Sequence, residues 1–121
     1  MNVFNEQIIV NATMNTTILS PAVPLVNLFG YTVQAVYAGN PNGSIKLQGS
    51  VDAFKYATPN QPEVPMNWND IDRSNFVITS AGIYTWNVTN AFYTFVRVVY
   101  TDASGGTSTG VLNVTINPKG P

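Results

Sequence analysis

The sequence of 121 residues contains no cysteine and no histidine, and charged side chains make up only 9% of it. Without cysteine no disulfide bond or thiolate nucleophile is available, and without histidine the usual catalytic triads and zinc sites are excluded. Only carboxylate chemistry is left. We therefore expect a protein that is not an enzyme and carries no cofactor.

The few charges are almost balanced, with five basic and six acidic residues. This balance gives no basic field for nucleic acid and no polybasic stripe for a membrane surface. The first residues lack the basic region of a signal peptide, and no apolar run approaches the ~20 residues of a membrane span. We expect a soluble chain whose weakly charged surface can lie against other protein subunits without burying unpaired ions.

Two carboxylates, Asp70 and Asp72 in "NWNDIDR", are close enough in sequence to suggest a functional pair. A calcium loop needs more acidic ligands and a central glycine, and the two carboxylates of a glycosidase come from separate elements. We expect no metal site here. An Asx-rich turn before a strand is the simpler interpretation.

Alternation of apolar and polar residues dominates the chain. It predicts strands in "YTVQAVYAG", "SIKLQGS", "GIYTWNVTN" and "VLNVTINP", and shorter strands in "QIIVNATM" and "NFVIT". Glycine, asparagine and proline mark turns in "GNPNGS", "SAGI" and "DASGG". The pattern predicts an all-β, antiparallel two-sheet sandwich of jelly-roll type, with about seven or eight strands.

The first thirty residues differ from the rest of the chain. Their stretch "ILSPAVPLVNLFG" is apolar, but Pro21 and Pro24 exclude a helix and disfavour a central strand. We therefore divide the chain into an extended segment, residues 1–30, and a β-sandwich domain, residues 31–121, with a surface loop through Pro59–Pro65. The segment is either an arm that reaches a neighbouring subunit or a stretch that crosses one edge of the sandwich.

The stretch "AFYTFVRVVYTDASGG", residues 91–106, predicts a strand with apolar residues on both faces. The face assigned to the core consists of Phe92, Val96, Val98 and Tyr100. The opposite face is the candidate interface and consists of Tyr93, Phe95, Arg97 and Val99. Aromatic residues and arginine, without lysine or glutamate, are enriched in protein interfaces. In the alternative interpretation, the N-terminal segment covers this face and Arg97 pairs with Asp70 or Asp72.

A pattern of strands and turns extends over residues 31–117. It comprises "VQAVYAGNPNGSIKLQGS", "NWNDI" and "AGIYTWNVTNAFYTFVRVVYTDASGGTSTGVLNVTI". This pattern resembles a β-sandwich module that recurs in bacteriophage structural proteins, including capsid decoration and head-fibre proteins. Residues 1–30 and the Pro59–Pro65 stretch depart from it.

The resemblance implies a virion protein on the capsid exterior, working as a decoration, cement or spike-base subunit. The implied partners are further copies of the chain, with a trimer favoured, and the major capsid protein or another virion protein.

A second class of function stays open, because "FYTFVRVVYT" also looks like the closing strand of galactose-binding, discoidin-like sandwiches. That resemblance implies a carbohydrate-binding module. Its candidate glycan site is Trp68 flanked by Asn67, Asn69 and Asp70, since sugar sites combine an aromatic ring with polar groups. In the alternative interpretation, Trp68 caps one end of the sandwich core.

Overall fold

The computed structural model describes residues 6–25, 30–51, 67–89 and 93–119, and those residues form ten strands and no helix. The strands are β1 (Glu6–Thr13), β2 (Ile18–Leu19), β3 (Val23–Pro24), β4 (Gly30–Ala38), β5 (Gly43–Ser50), β6 (Asn69–Asp70), β7 (Phe76–Ile78), β8 (Gly82–Val88), β9 (Phe95–Asp102) and β10 (Val111–Lys119). The predictions for Phe92 and for the loop through Pro59–Pro65 lie outside the described residues.

The strands form two antiparallel sheets. The first sheet has the order β1-β10-β4-β8, and the second has β9 and β5 at its centre. The short strands β2 and β3 share one edge of the second sheet, and β6 and β7 share the other. Counting β2 with β3 as one strand, and β6 with β7 as another, leaves eight strands in chain order among the described residues. Numbered in this way, the first sheet has the order 1-8-3-6 and the second has the order 2-7-4-5. This is the strand order of a jelly roll, as predicted.

The core lies between the two sheets and is made by alternate residues of the strands. Strands β4, β5, β9 and β10 contribute Tyr31, Val33, Ala35, Tyr37, Ile45, Leu47, Val96, Val98, Tyr100, Leu112, Val114 and Ile116. Strand β8 contributes Trp86, whose Nε1 donates a hydrogen bond to the backbone oxygen of Ser74 at 2.8 Å. The period-two alternation read from the sequence is therefore confirmed in these strands, and burial of each large apolar side chain contributes roughly 1.5–3 kcal/mol.

Residues 6–25 are part of the sandwich and not a separate segment, contrary to our expectation. Strand β1 pairs with β10, while β2 and β3 pair with β9, and the core includes Met14 and Val23. Pro21 and Pro24 keep β2 and β3 short and at a sheet edge, where a missing N–H group is tolerated. These contacts are all made within one chain, at an edge of each sheet.

A carboxylate organises the turn between β9 and β10. Asp102 Oδ1 accepts hydrogen bonds from the amide and hydroxyl of Ser104 at 2.9 and 2.6 Å, and Oδ2 accepts one from the amide of Gly106 at 2.9 Å. Gly105 and Gly106 have φ angles of 70° and 90°, which side chains disfavour. These hydrogen bonds, that of the Ser104 hydroxyl foremost, hold the pKa of Asp102 below its ordinary value.

We expect the replacement Asp102→Asn to remove part of the acid sensitivity of the fold. Because the folded-state pKa of Asp102 is lowered, its stabilisation is present above the unfolded value of about 4 and is lost as the pH falls through the folded value. Urea unfolding between pH 2 and pH 7 measures this dependence. Identical pH profiles for the variant and the parent would show that the turn does not depend on the ionised carboxylate.

Candidate functional site: the outer face of the second sheet

Arg97 lies on the outer face of the second sheet, where β9 and β5 run side by side. The residue opposite it across the ladder is Gln48. Arg97 Nε donates a hydrogen bond to Gln48 Oε1 at 2.8 Å, and the guanidinium carbon lies 4.3 Å from the centre of the Trp68 ring. Stacking on an aromatic ring and a directed N–H bond hold the guanidinium in one orientation.

The same amide connects Arg97 to a carboxylate. Strand β6 places Asp70 opposite Gln48, and Gln48 Nε2 donates to Asp70 Oδ1 at 2.9 Å. Lys46 Nζ lies 3.0 Å from Asp70 Oδ2. These hydrogen bonds, that of Gln48 foremost, hold the pKa of Asp70 below its ordinary value. An ion pair this exposed adds little stability, about 0–1 kcal/mol. The Asp70 carboxylate accepts a hydrogen bond from Gln48 and so fixes the direction in which the Gln48 amide points.

We call this group the outer patch, and it consists of Lys46, Gln48, Trp68, Asp70 and Arg97. It holds two cationic side chains and one carboxylate, so it carries an excess of one positive charge. Within the described residues Arg97 forms no ion pair. Asp70 forms its ion pair with Lys46, and Asp72 lies 3.9 Å from Arg73. The pairing of Arg97 with Asp70 or Asp72, which belonged to the alternative interpretation, is therefore not found. Burial lowers the pKa of Arg97.

Two residues of the predicted interface are covered within the single chain. Phe95 is 4% exposed and Val99 is 7% exposed. Arg97 is half-buried, and Leu19, which lies opposite Val99 at the edge of the sheet, is 54% exposed. The part of this face that a partner can reach is therefore Arg97 with its neighbours in the outer patch and Leu19, and not Phe95 or Val99.

Tyr93, the fourth residue of the predicted interface, does not share a face with Arg97. A Cβ atom on Gly49 would lie 2.3 Å from Cγ of the Tyr93 ring, so the ring occupies the space of a missing side chain. Gly49 lies opposite the buried Val96 and shares the core side of β5 with Leu47. Tyr93 therefore packs at the inner face. The prediction failed there because β9 begins at Phe95 and the alternation does not extend back to residue 93.

Tyr31 lies close to Tyr93 at this end of the core, and its surroundings change its pKa. Burial, together with the proximity of Tyr93, raises the pKa of Tyr31 to about 12. Tyr31 is almost fully buried. It therefore stays neutral through the physiological range.

The structure also places the four residues of the candidate glycan site. Trp68 is half-buried, while Asn67, Asn69 and Asp70 are exposed. Trp68 packs on Arg97 outside the sandwich, so it does not cap the core, and the tryptophan of the core is Trp86.

Sequence reasoning missed Gln48 and Lys46, although both are central to the outer patch. The alternation of "SIKLQGS" placed them on the polar face of β5. What it lacked was the register of β5 against β9 and β6, which sets Gln48 opposite both Arg97 and Asp70. Register follows from tertiary packing and turn geometry, and one strand taken alone does not determine it.

Other kinds of site would need a group of metal-ligating side chains or a membrane-spanning helix. No three or more acidic, histidine or cysteine side chains come together among the described residues as a metal-binding group. Nor does the described part of the chain contain a helix long and apolar enough to cross a membrane.

Comparison with protein-family models and with curated protein sequences finds no match. Among solved structures, PirA matches with a TM-score of 0.51 and 14% identity over 96% of this chain and 92% of that chain. The SPBc2 prophage-derived protein YomS matches with a TM-score of 0.51 and 7% identity over 98% of this chain and 95% of that chain. These similarities show the fold alone. Tobacco streak virus coat protein matches at a TM-score of 0.45 and 10% identity, over 99% of this chain and 88% of that chain.

Proposed function

We propose that this protein is a non-enzymatic structural subunit of a bacteriophage particle, of the capsid decoration, cement or spike-base type, bound to the capsid exterior. The resemblance of residues 31–117 to phage structural modules supports this proposal. The jelly-roll order of the strands is one that viral capsid domains use. In this proposal the chain acts together with copies of itself and with the major capsid protein or another virion protein.

The observation that carries the proposal is the outer patch. It presents a half-buried arginine, held by an amide and an aromatic ring, with no carboxylate partner among the described residues. Tryptophan and arginine are the residues most enriched at the energetic centres of protein interfaces. The excess positive charge favours a partner that supplies a carboxylate to the remaining N–H donors of Arg97, and the exposed Leu19 adds apolar surface beside it.

The alternative of a carbohydrate-binding module uses some of the same residues in a different way. Sugar binding needs polar groups that are available to the ligand beside an aromatic ring. Here Asp70 is already bound by Lys46 and Gln48, and Trp68 packs on Arg97. These internal contacts favour a preformed protein interface. A glycan array separates the two: glycan binding that Trp68→Ala abolishes, with the fold intact, would favour the carbohydrate-binding module.

The replacement Arg97→Glu tests the proposed interface. We expect a folded protein that binds phage particles depleted of it at least about 30-fold more weakly, because losing one partner of a desolvated charge pair costs on the order of 2 kcal/mol or more. Co-sedimentation with the depleted particles gives the affinity, and circular dichroism reports the fold.

The matched control is Arg73→Glu, which makes the same change of charge at a side chain that is 92% exposed. The control should bind particles like the parent protein. If Arg97→Glu bound particles as tightly as Arg73→Glu and the parent protein, the outer patch would be excluded as the particle-binding surface.

A further inference from the structure

Three of the four sheet edges in this sandwich carry features that oppose pairing with another strand. Strand β1 contains two register shifts against β10 and a positive φ angle at Asn11. At the second edge, β2 and β3 have two residues each, with Pro21 between them and Pro24 inside β3. At the third, β6 has two residues and β7 has three, and they flank the charged pair Asp72 and Arg73. Bulges, prolines, charges and short strands are the usual protection of an edge.

The fourth edge, β8, has none of these features. It is a regular strand of seven residues, "GIYTWNV", without a charge, a proline or a positive φ angle. Within the described ranges it pairs only with β4, and no described strand occupies its other side. Ile83 on this strand is 62% exposed, and Val36 lies opposite it on the same outer face, also exposed. An edge this long and uncharged is a template for strand addition.

We propose that β8 pairs with β8 of a second copy of this chain, antiparallel and about a two-fold axis. The strand is uncharged, so pairing with itself brings no like charges together. Thr85 is the central residue of the strand, and full overlap therefore sets Thr85 opposite Thr85 and Tyr84 opposite Trp86 of the other copy. Threonine pairs and aromatic pairs are both favourable across antiparallel strands. The first sheet would then continue through two copies as one eight-stranded sheet.

A groove beside β8 gives room for such a contact. It has a volume of about 250 Å³ and is lined by Tyr84 and Trp86 of β8 and by Asp72, Arg73 and Ser74 of the β6–β7 connection, among others. The two-fold arrangement would bring Tyr84 of the second copy towards this groove. Because a two-fold contact uses up the edge of each copy, the assembly closes as a dimer and does not grow into a fibre. A dimer through β8 thus differs from the trimer that the phage resemblance favours.

This inference specifies the self-association within the proposed function, but its test uses the purified chain without particles. Light scattering over a range of concentrations should give twice the mass of one chain. Thr85→Lys alone and Thr85→Asp alone should each weaken the dimer about tenfold or more, because like charges then face each other across the axis. An equimolar mixture of the two variants should restore the dimer, since opposite charges now meet.

The fold should tolerate both variants, because Thr85 is exposed and lies opposite Gln34 on the outer face. Matched controls are Thr101→Lys and Thr101→Asp, at an exposed threonine of β9 in the other sheet, and these should stay dimeric. A parent chain that is monomeric at every concentration would overturn the proposal. A parent chain that binds an unrelated extended peptide along β8, in place of a second copy, would overturn it too. Charged variants that stay dimeric, or that dissociate and fail to recombine, would overturn it as well.

Discussion

A chain that lacks residues 1–24 should not fold. The deletion removes β1, β2 and β3, and with them the buried side chains of Ile8, Ile9, Met14 and Val23. Truncating one such side chain costs about 2–5 kcal/mol, so the loss of four, roughly 8–20 kcal/mol, is as large as the 5–15 kcal/mol that typically separates a folded domain from its unfolded state. The deletion also leaves β10 and β9 without their outer neighbours. Circular dichroism and thermal unfolding of the purified product give the answer.

The matched control is a chain that lacks only residues 1–5 and keeps the whole of β1. It should fold and unfold cooperatively like the parent. A folded product from the longer deletion, which then failed only to assemble, would support the arm and contradict the integration of β1 into the first sheet.

Replacing Phe95 with serine should destabilise the fold by roughly 3–5 kcal/mol, because the ring is 4% exposed and its loss leaves a cavity beside a new hydroxyl group. Chemical denaturation measures the free energy of unfolding directly. The comparison variant is Leu19→Ser, an apolar side chain of the same sheet that is 54% exposed and should change stability by about 0.5 kcal/mol or less.

This experiment separates two roles for the second face of β9. If Phe95 were an interface residue awaiting a partner, Phe95→Ser would leave the stability of the isolated chain unchanged and weaken only its assembly. Because Phe95 is buried, we expect Phe95→Ser to lower the stability of the isolated chain first, and to weaken assembly only as a consequence. Arg97→Glu, in contrast, is expected to act on binding more than on folding, since Arg97 is half-buried and lies at the surface of the sheet.

Most of the fold followed from period-two alternation. In β5, and over most of β4, β8 and β10, apolar and polar residues alternate, and burial of one face fixes which residues point inward. The N-terminal segment was harder to predict, because β2 and β3 are too short to show a period. Their place is set by pairing with β9, which is distant in sequence.

The candidate site was only partly predictable for a related reason. Arg97 could be identified from the sequence because a charge in an apolar strand is unusual. Its partners Gln48 and Trp68 come from other parts of the chain and meet it through register and loop placement. Tyr93 was misplaced because the alternation was extended past the first residue of β9, where the backbone bends.

The most direct test of the proposed function is to look for the chain in purified particles of the bacteriophage that the proposal assigns it to. Mass spectrometry of the particles should find the protein, and a cryo-electron microscopy reconstruction should show the sandwich on the capsid exterior. The outer patch should face a neighbouring subunit, with a carboxylate of that subunit against Arg97. Absence of the protein from intact particles, or a position with the outer patch turned to solvent, would contradict the proposal.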